Sequence, residues 1–100
     1  MSTYNTINII SQNENGVIYI ENESGLVFGI VDAAKITDED GIPFQESTLE
    51  IIEKNFDCDI EQDFEKETST IYTEDGGALV FSGNDVTIVE FDENGEPVAI

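Results

Sequence analysis

Short runs of alternating apolar and polar residues fill both ends of this chain. A longer run with apolar residues at steps of three and four separates them. Alternation marks half-buried strands, and the three-to-four spacing marks an amphipathic helix. In Tyr4–Ile10, Ile7 and Ile9 share one face, and in Val17–Glu21, Ile18 and Ile20 do. Asn15-Gly16 between these runs is a hairpin signal, because both residues tolerate positive φ. Asn22–Gly25 is the next turn, and Leu26–Val31 is nearly all apolar, as a central strand is. Gly29 inside it marks a bulge or a point of close packing.

Asp32–Pro43 reads as irregular, with Ala33–Ile36 as a short turn of helix and Asp40-Gly41 and Pro43 closing the loop. Ser47–Lys66 is the predicted helix. Ser47 and Glu50 fit a capping box, and Leu49, Ile52, Phe56, Ile60 and Phe64 form one apolar stripe. Asn55, Asp57 and Asp59 are poor helix formers, so the segment reads either as one helix or as two shorter ones broken near Phe56–Asp59. Strand patterns return in Ser69–Thr73, Ala78–Ser82 and Val86–Phe91, with Val98–Ile100 as a short edge strand. Asp75-Gly76-Gly77, Gly83-Asn84-Asp85 and Asn94-Gly95 supply the turns. The expected fold is α+β and a single domain over residues 1–100. An antiparallel sheet of about six short strands carries one helical segment on one face, in β-β-β-α-β-β-β order. Phe28, Phe56, Phe64, Phe81 and Phe91 fall on apolar phases and are assigned to the core. Tyr4, Tyr19 and Tyr72 fall on polar phases, where they cap a sheet face or meet a partner.

Charge changes this picture. The 100 residues hold 23 carboxylates against three lysines, with no arginine and no histidine, for a net charge of −20. Self-repulsion on this scale opposes the compact state, so a chain that keeps it is expected to use the field. Direct nucleic-acid binding is excluded as an expectation, because Lys35, Lys54 and Lys66 are too few to replace counterions on phosphate. An anionic membrane surface is excluded for the same reason, and no apolar run is long enough to span a bilayer. Met1–Ser11 lacks the basic start and apolar stretch of a secretory signal, and the lone Cys58 forms no internal disulfide. The expected location is the cytoplasm.

The predicted helix carries the most regular acidic array. Glu50, Glu53, Asp57, Glu61 and Glu65 each follow a member of the apolar stripe by one residue, so on one helix they form a second stripe about 100° away. Its carboxylates would recur about every 4.5–6 Å, of the order of phosphate spacing on a DNA strand. A solvated helix face is the plain alternative, but such faces mix Glu with Lys, and here the basic half is missing. Asp59 and Asp63 add to the same segment. Asp57, Asp59, Glu61 and Asp63 alternate as calcium-loop ligands do, yet Gln62 and Thr68 stand where such a loop needs Gly and Glu. No metal site and no cofactor are expected. Without histidine, arginine or a phosphate-binding Gly-rich loop, no enzymatic activity is expected either, and nothing activates Cys58 as a nucleophile.

In size, charge and lack of catalytic residues, and in the Glu50–Glu65 stripe, the chain resembles the acidic DNA-mimic inhibitors encoded by bacteriophages. That resemblance implies a non-enzymatic inhibitor that covers the basic DNA- or RNA-binding surface of a target, such as a CRISPR effector, a restriction enzyme or another nuclease. It would act in the host cytoplasm. A homodimer would lengthen the acidic surface to match a longer duplex. An immunity protein for a basic toxin nuclease would use the same physics. A small structural or assembly domain, acidic for solubility, would instead show an apolar sheet edge or face.

Overall fold

Five turns of one design fold most of the chain into hairpins. In the computed structural model, which describes residues 7–99, they are Asn13–Gly16, Asn22–Gly25, Asp38–Gly41, Thr73–Gly76 and Asp92–Gly95. In each, the first residue's N–H donates to the carbonyl four residues on, and the glycine N–H donates back to the first residue's carbonyl. At the Asn and Asp positions Oδ1 also accepts from the N–H groups two and four residues on, at 2.9–3.0 Å. The glycines take φ of 78–90°. These are type I turns closed by a left-handed residue. The Asn-Gly and Asp-Gly pairs read as turn signals are the last two positions of these four-residue turns, and only the glycine is left-handed.

The hairpins build two antiparallel sheets rather than one. The first runs β1 (Asn8–Gln12), β2 (Ile18–Glu21), β3 (Val27–Asp32) and β4 (Lys35–Asp38), in that order. The second runs β5 (Ile60–Asp63), β6 (Thr68–Tyr72), β7 (Ala78–Ser82), β8 (Asp85–Phe91) and β9 (Pro97–Ala99). The fold is α+β as expected, with more strands and a different sheet arrangement. Tyr4 and the start of the first expected strand lie outside the described residues, as does Ile100. β4 replaces the expected irregular stretch and its turn of helix. Asp32 Oδ1 accepts from the Ala34 N–H at 2.8 Å and turns the chain, and the β-branched Ile36-Thr37 then pairs back on β3. Pro43 bridges Thr37, and the Phe44 N–H donates to the Ile36 carbonyl.

The predicted helix is cut short. α1 spans Thr48–Asn55, with Ser47 as its N-cap accepting from the Glu50 N–H. Phe56 is already extended (φ −123°, ψ 131°), and the Asn55 side chain folds back on the Ile51 carbonyl. The second half of Ser47–Lys66 is β5 and the turn that follows it, not a second helix. Three poor helix formers at Asn55, Asp57 and Asp59 end the helix, and the period changes from four to two.

One core lies between the sheets and under α1. Register places Ile18, Ile20, Phe28, Ile30 and Ile36 on the inner face of the first sheet. Ile71, Leu79 and Phe81 meet them from the second, and Ile51, Ile52 and Phe56 close the gap. Phe28 is the aromatic hub, 5.3 Å from Phe56 and 5.8 Å from Phe44 between ring centroids. Ile7 forms a parallel bridge to Thr73, and the Ala33 N–H donates to the Asn84 carbonyl, which ties the sheets together. Gly29 is the close-packing point its position implied. A Cβ there would lie 2.8 Å from Thr37 Oγ1 and 3.2 Å from Tyr19 Cε1. Two aromatic assignments change. Phe64 is 84% exposed on the β5–β6 turn. Phe91 packs its ring against Tyr72, 6.1 Å away, and is partly exposed.

Candidate acidic interaction surface

The seven acidic candidates do not share a helix face. Glu50 and Glu53 lie on α1, Asp57 and Asp59 in the connector, Glu61 and Asp63 on β5, and Glu65 in the β5–β6 turn. The period-four stripe is therefore corrected, because the helix that was to carry it ends at Asn55. A period-two stripe takes its place. Phe56 is buried, and Cys58 and Ile60 pack on the core, while Asp57, Asp59 and Glu61 between them are exposed. Asp63 and Glu65 continue the exposed series. In extended chain, alternate residues are about 6.6 Å apart, within one Debye length of about 8 Å. The alternation that suggested calcium ligands is the in-and-out pattern of an edge strand. Among the described residues, no three acidic or sulfur side chains are placed to hold a metal ion.

The local charge is one-sided. Residues 57–67 hold six carboxylates and one lysine, Lys66. Cys58 lies partly buried beside this charge. Burial pushes its thiol up to about 11, and the charges of Asp59, Asp57 and Glu53 add to the shift. The thiol is protonated at neutral pH, which makes it a packing residue. Lys54 is taken up by Glu46, 3.3 Å away and outside the array. Backbone hydrogen bonding first, and Lys54 second, hold the Glu46 carboxyl below its usual value.

β5 is an edge strand, and its outer row is acidic where an open edge would invite pairing. Behind it lies a groove of ≈ 610 Å³ lined in part by Glu61, Asp63, Glu65, Thr70, Val80 and Pro97. Glu61 Oε2 accepts from the Tyr72 hydroxyl at 2.8 Å, which fixes that carboxylate to the sheet. Asp63 Oδ1 accepts from the Glu65 and Lys66 N–H groups at 3.0 and 3.1 Å, which fixes the turn. Acids ring both ends of the second sheet: Glu65, Glu67 and Asp85, the first residue of β8, at one, Glu74, Asp75, Asp92, Glu93 and Glu96 at the other. The Thr73 hydroxyl, and then the Gly77 N–H, hold the Asp75 carboxyl below its usual value. None of the 23 carboxylates is buried.

Two residues of this surface escape the sequence reading. Phe64 falls on the core phase of a helix, and its flanking charges, Asp63 and Glu65, are the contrary signal. Glu67 has φ of 54°, the only left-handed residue other than glycine among those described. No sequence signal marks that position, because the other turns place glycine there. No helix of the described residues is long and apolar enough to cross a membrane. Comparison with known proteins found no matching family model, curated protein or solved structure.

Proposed function

We propose that this protein is a non-catalytic inhibitor that stands in for nucleic acid and covers the basic binding surface of a CRISPR effector, a restriction enzyme or another nuclease. One observation carries the reading. Asp57 and Asp59 in the connector, Glu61 and Asp63 on β5 and Glu65 in the turn that follows are all exposed, with no basic residue from 57 to 65. Spaced at about 6.6 Å for alternate residues, they offer a linear polyanion of the same order as a phosphate backbone. The array rests on β5 and its hydrogen-bonded turn, so little ordering is needed on binding. Such a ligand is steered to a basic cleft over a long range and weakens with salt. This reading places its action in the cytoplasm, where those targets work.

The test is displacement of a fluorescent duplex from three purified proteins: an RNA-guided CRISPR nuclease, a type I restriction–modification enzyme and a type II restriction endonuclease. The protein is expected to release DNA from at least one of them, less effectively as salt rises. Asp57, Asp59 and Glu65 make no side-chain hydrogen bond among the described residues, so reversing them to Lys leaves the fold intact. The triple variant should lose about 100-fold in affinity at low salt. Equal potency of variant and parent would remove this edge as the binding surface.

A second reading, assembly with further copies, rests on β9. It is an edge strand, all three of its residues are exposed, and Val98 is 51% exposed. Pairing of two such edges would give a homodimer, and its mark is a mass that doubles as salt screens the repulsion.

A further inference from the structure

The β5–β6 turn raises an aromatic ring out of the acidic edge. Phe64 is the most exposed large apolar side chain among the described residues, at 84%. Singly exposed apolar residues are ordinary on a protein surface. Three features set this one apart. Its loop is fixed, since Asp63 Oδ1 accepts from two backbone N–H groups beyond the ring. Three carboxylates and one ammonium flank it in sequence, Asp63 before it and Glu65, Lys66 and Glu67 after it, a net negative surround. Glu67 holds its place at φ of 54°, where the other left-handed positions use glycine. Non-glycine residues are uncommon in that region.

We propose that Phe64 is a hydrophobic anchor that enters an apolar pocket rimmed by Lys and Arg on a basic protein, while Asp63, Glu65 and Glu67 pair with the rim. This deepens the proposed function and rests on it for the identity of the partner. Charge decides the class of occupant. The same carboxylates repel the phosphates of nucleic acid and of anionic lipid, and they match a basic protein surface. An aromatic centre within a polar rim is the arrangement that concentrates binding energy at interfaces. A hollow of ≈ 290 Å³ beside the ring, lined by Gln62, Asp63, Glu67, Thr68 and Ser69, gives the pocket's lip a place to seat.

The probes are two synthetic peptides of equal positive charge, an amphipathic Leu/Lys helix and an oligolysine. The parent should bind the Leu/Lys peptide about tenfold or more tightly than the oligolysine, and Phe64→Ser should bind the two alike. In Phe64→Trp, indole emission should shift to the blue with the Leu/Lys peptide and stay unshifted with oligolysine. Phe64→Ser should melt with the parent, because the ring contributes almost no buried surface to the fold. In duplex displacement, Phe64→Ser should weaken inhibition about 30-fold without altering the salt slope, whereas the triple Lys variant should flatten that slope. An equal peptide preference in parent and Phe64→Ser, or a melting temperature lowered by the substitution, overturns the anchor. If the parent displaces DNA from none of the three proteins while the peptide preference holds, the mimic reading falls and the anchor stands.

Discussion

Glu67→Gly should stabilise the protein, an unusual direction for removing a side chain. A left-handed backbone costs a residue with a Cβ about 1–2 kcal/mol. Glycine at this position would relieve that strain but lose about 0.5–1 kcal/mol to the greater freedom of the unfolded chain. The span of the net gain is about 0–1.5 kcal/mol, and its middle half is about 0.5–1 kcal/mol. For a domain of this size, that raises the melting temperature by about 2–8 °C. Removing one charge from the tip of a −20 protein adds a second, salt-dependent gain. Glu67→Gln separates the two, since it drops the charge and keeps the strained φ of 54°. Thermal melts of parent, Gln and Gly variants are compared at low salt and near 1 M, where the Debye length falls to about 3 Å. The Gln gain should fade with salt, while the Gly-over-Gln gain should persist. Gly and Gln variants that melt together at high salt would refute the strain argument.

Gly77→Ala should be among the most damaging single changes, at more than about 2 kcal/mol in urea titration, because its Cβ would meet the Val89 carbonyl oxygen, a backbone atom that cannot step aside. Gly29→Ala should cost less, since its closest contact is the side-chain Thr37 Oγ1 at 2.8 Å, and equal losses at the two sites would contradict this distinction. Cys58, with its thiol pushed up to about 11, should react with a disulfide reagent about tenfold more slowly at pH 8 than a free thiol, and at the free rate in urea.

What is legible in the sequence follows from how local each signal is. Strands with strict alternation or a clear apolar run, such as Val17–Glu21 and Ala78–Ser82, match the structure nearly to the residue, because one buried face fixes their register. The Ser47 cap is legible because it needs only residues 47–50. The helix length is not. Leu49, Ile52, Phe56, Ile60 and Phe64 satisfy period four, while Phe56, Cys58 and Ile60 satisfy period two over the same stretch. Short apolar runs leave these two periods undecided, and Asn55, Asp57 and Asp59 decide it against the helix. Ala33–Ile36 misleads for a related reason. Two alanines favour helix, but they occupy a turn held by Asp32, and tertiary pairing claims Ile36 for a strand. The carboxylates of the candidate site are legible as residue types and not as a surface, since their common face depends on the period.

The structure divides the acids into two kinds, and this bears on how the charge should be tested. Asp38, Asp63 and Asp92 each accept two backbone N–H groups within their turns, and Asp32 and Asp75 hold turns with one N–H each. Removing such a carboxylate frees donors that a turn needs, a loss of about 1 kcal/mol each from the hydrogen bonds alone. Glutamates fill the interior of the five hairpin turns at Glu14, Glu23, Glu39, Glu74 and Glu93, where they cap nothing and face solvent. Turn geometry needs the aspartates, whereas it places no demand on the glutamates. Each acidic hairpin tip therefore carries charge beyond what folding requires, at positions where Ser, Thr or Lys would serve the turn as well. That surplus is what the inhibitor reading explains. Replacing the five turn glutamates with glutamine should leave urea stability equal or higher and weaken duplex displacement in proportion to the charge removed. If they were only ornaments of the turns, displacement would be unchanged.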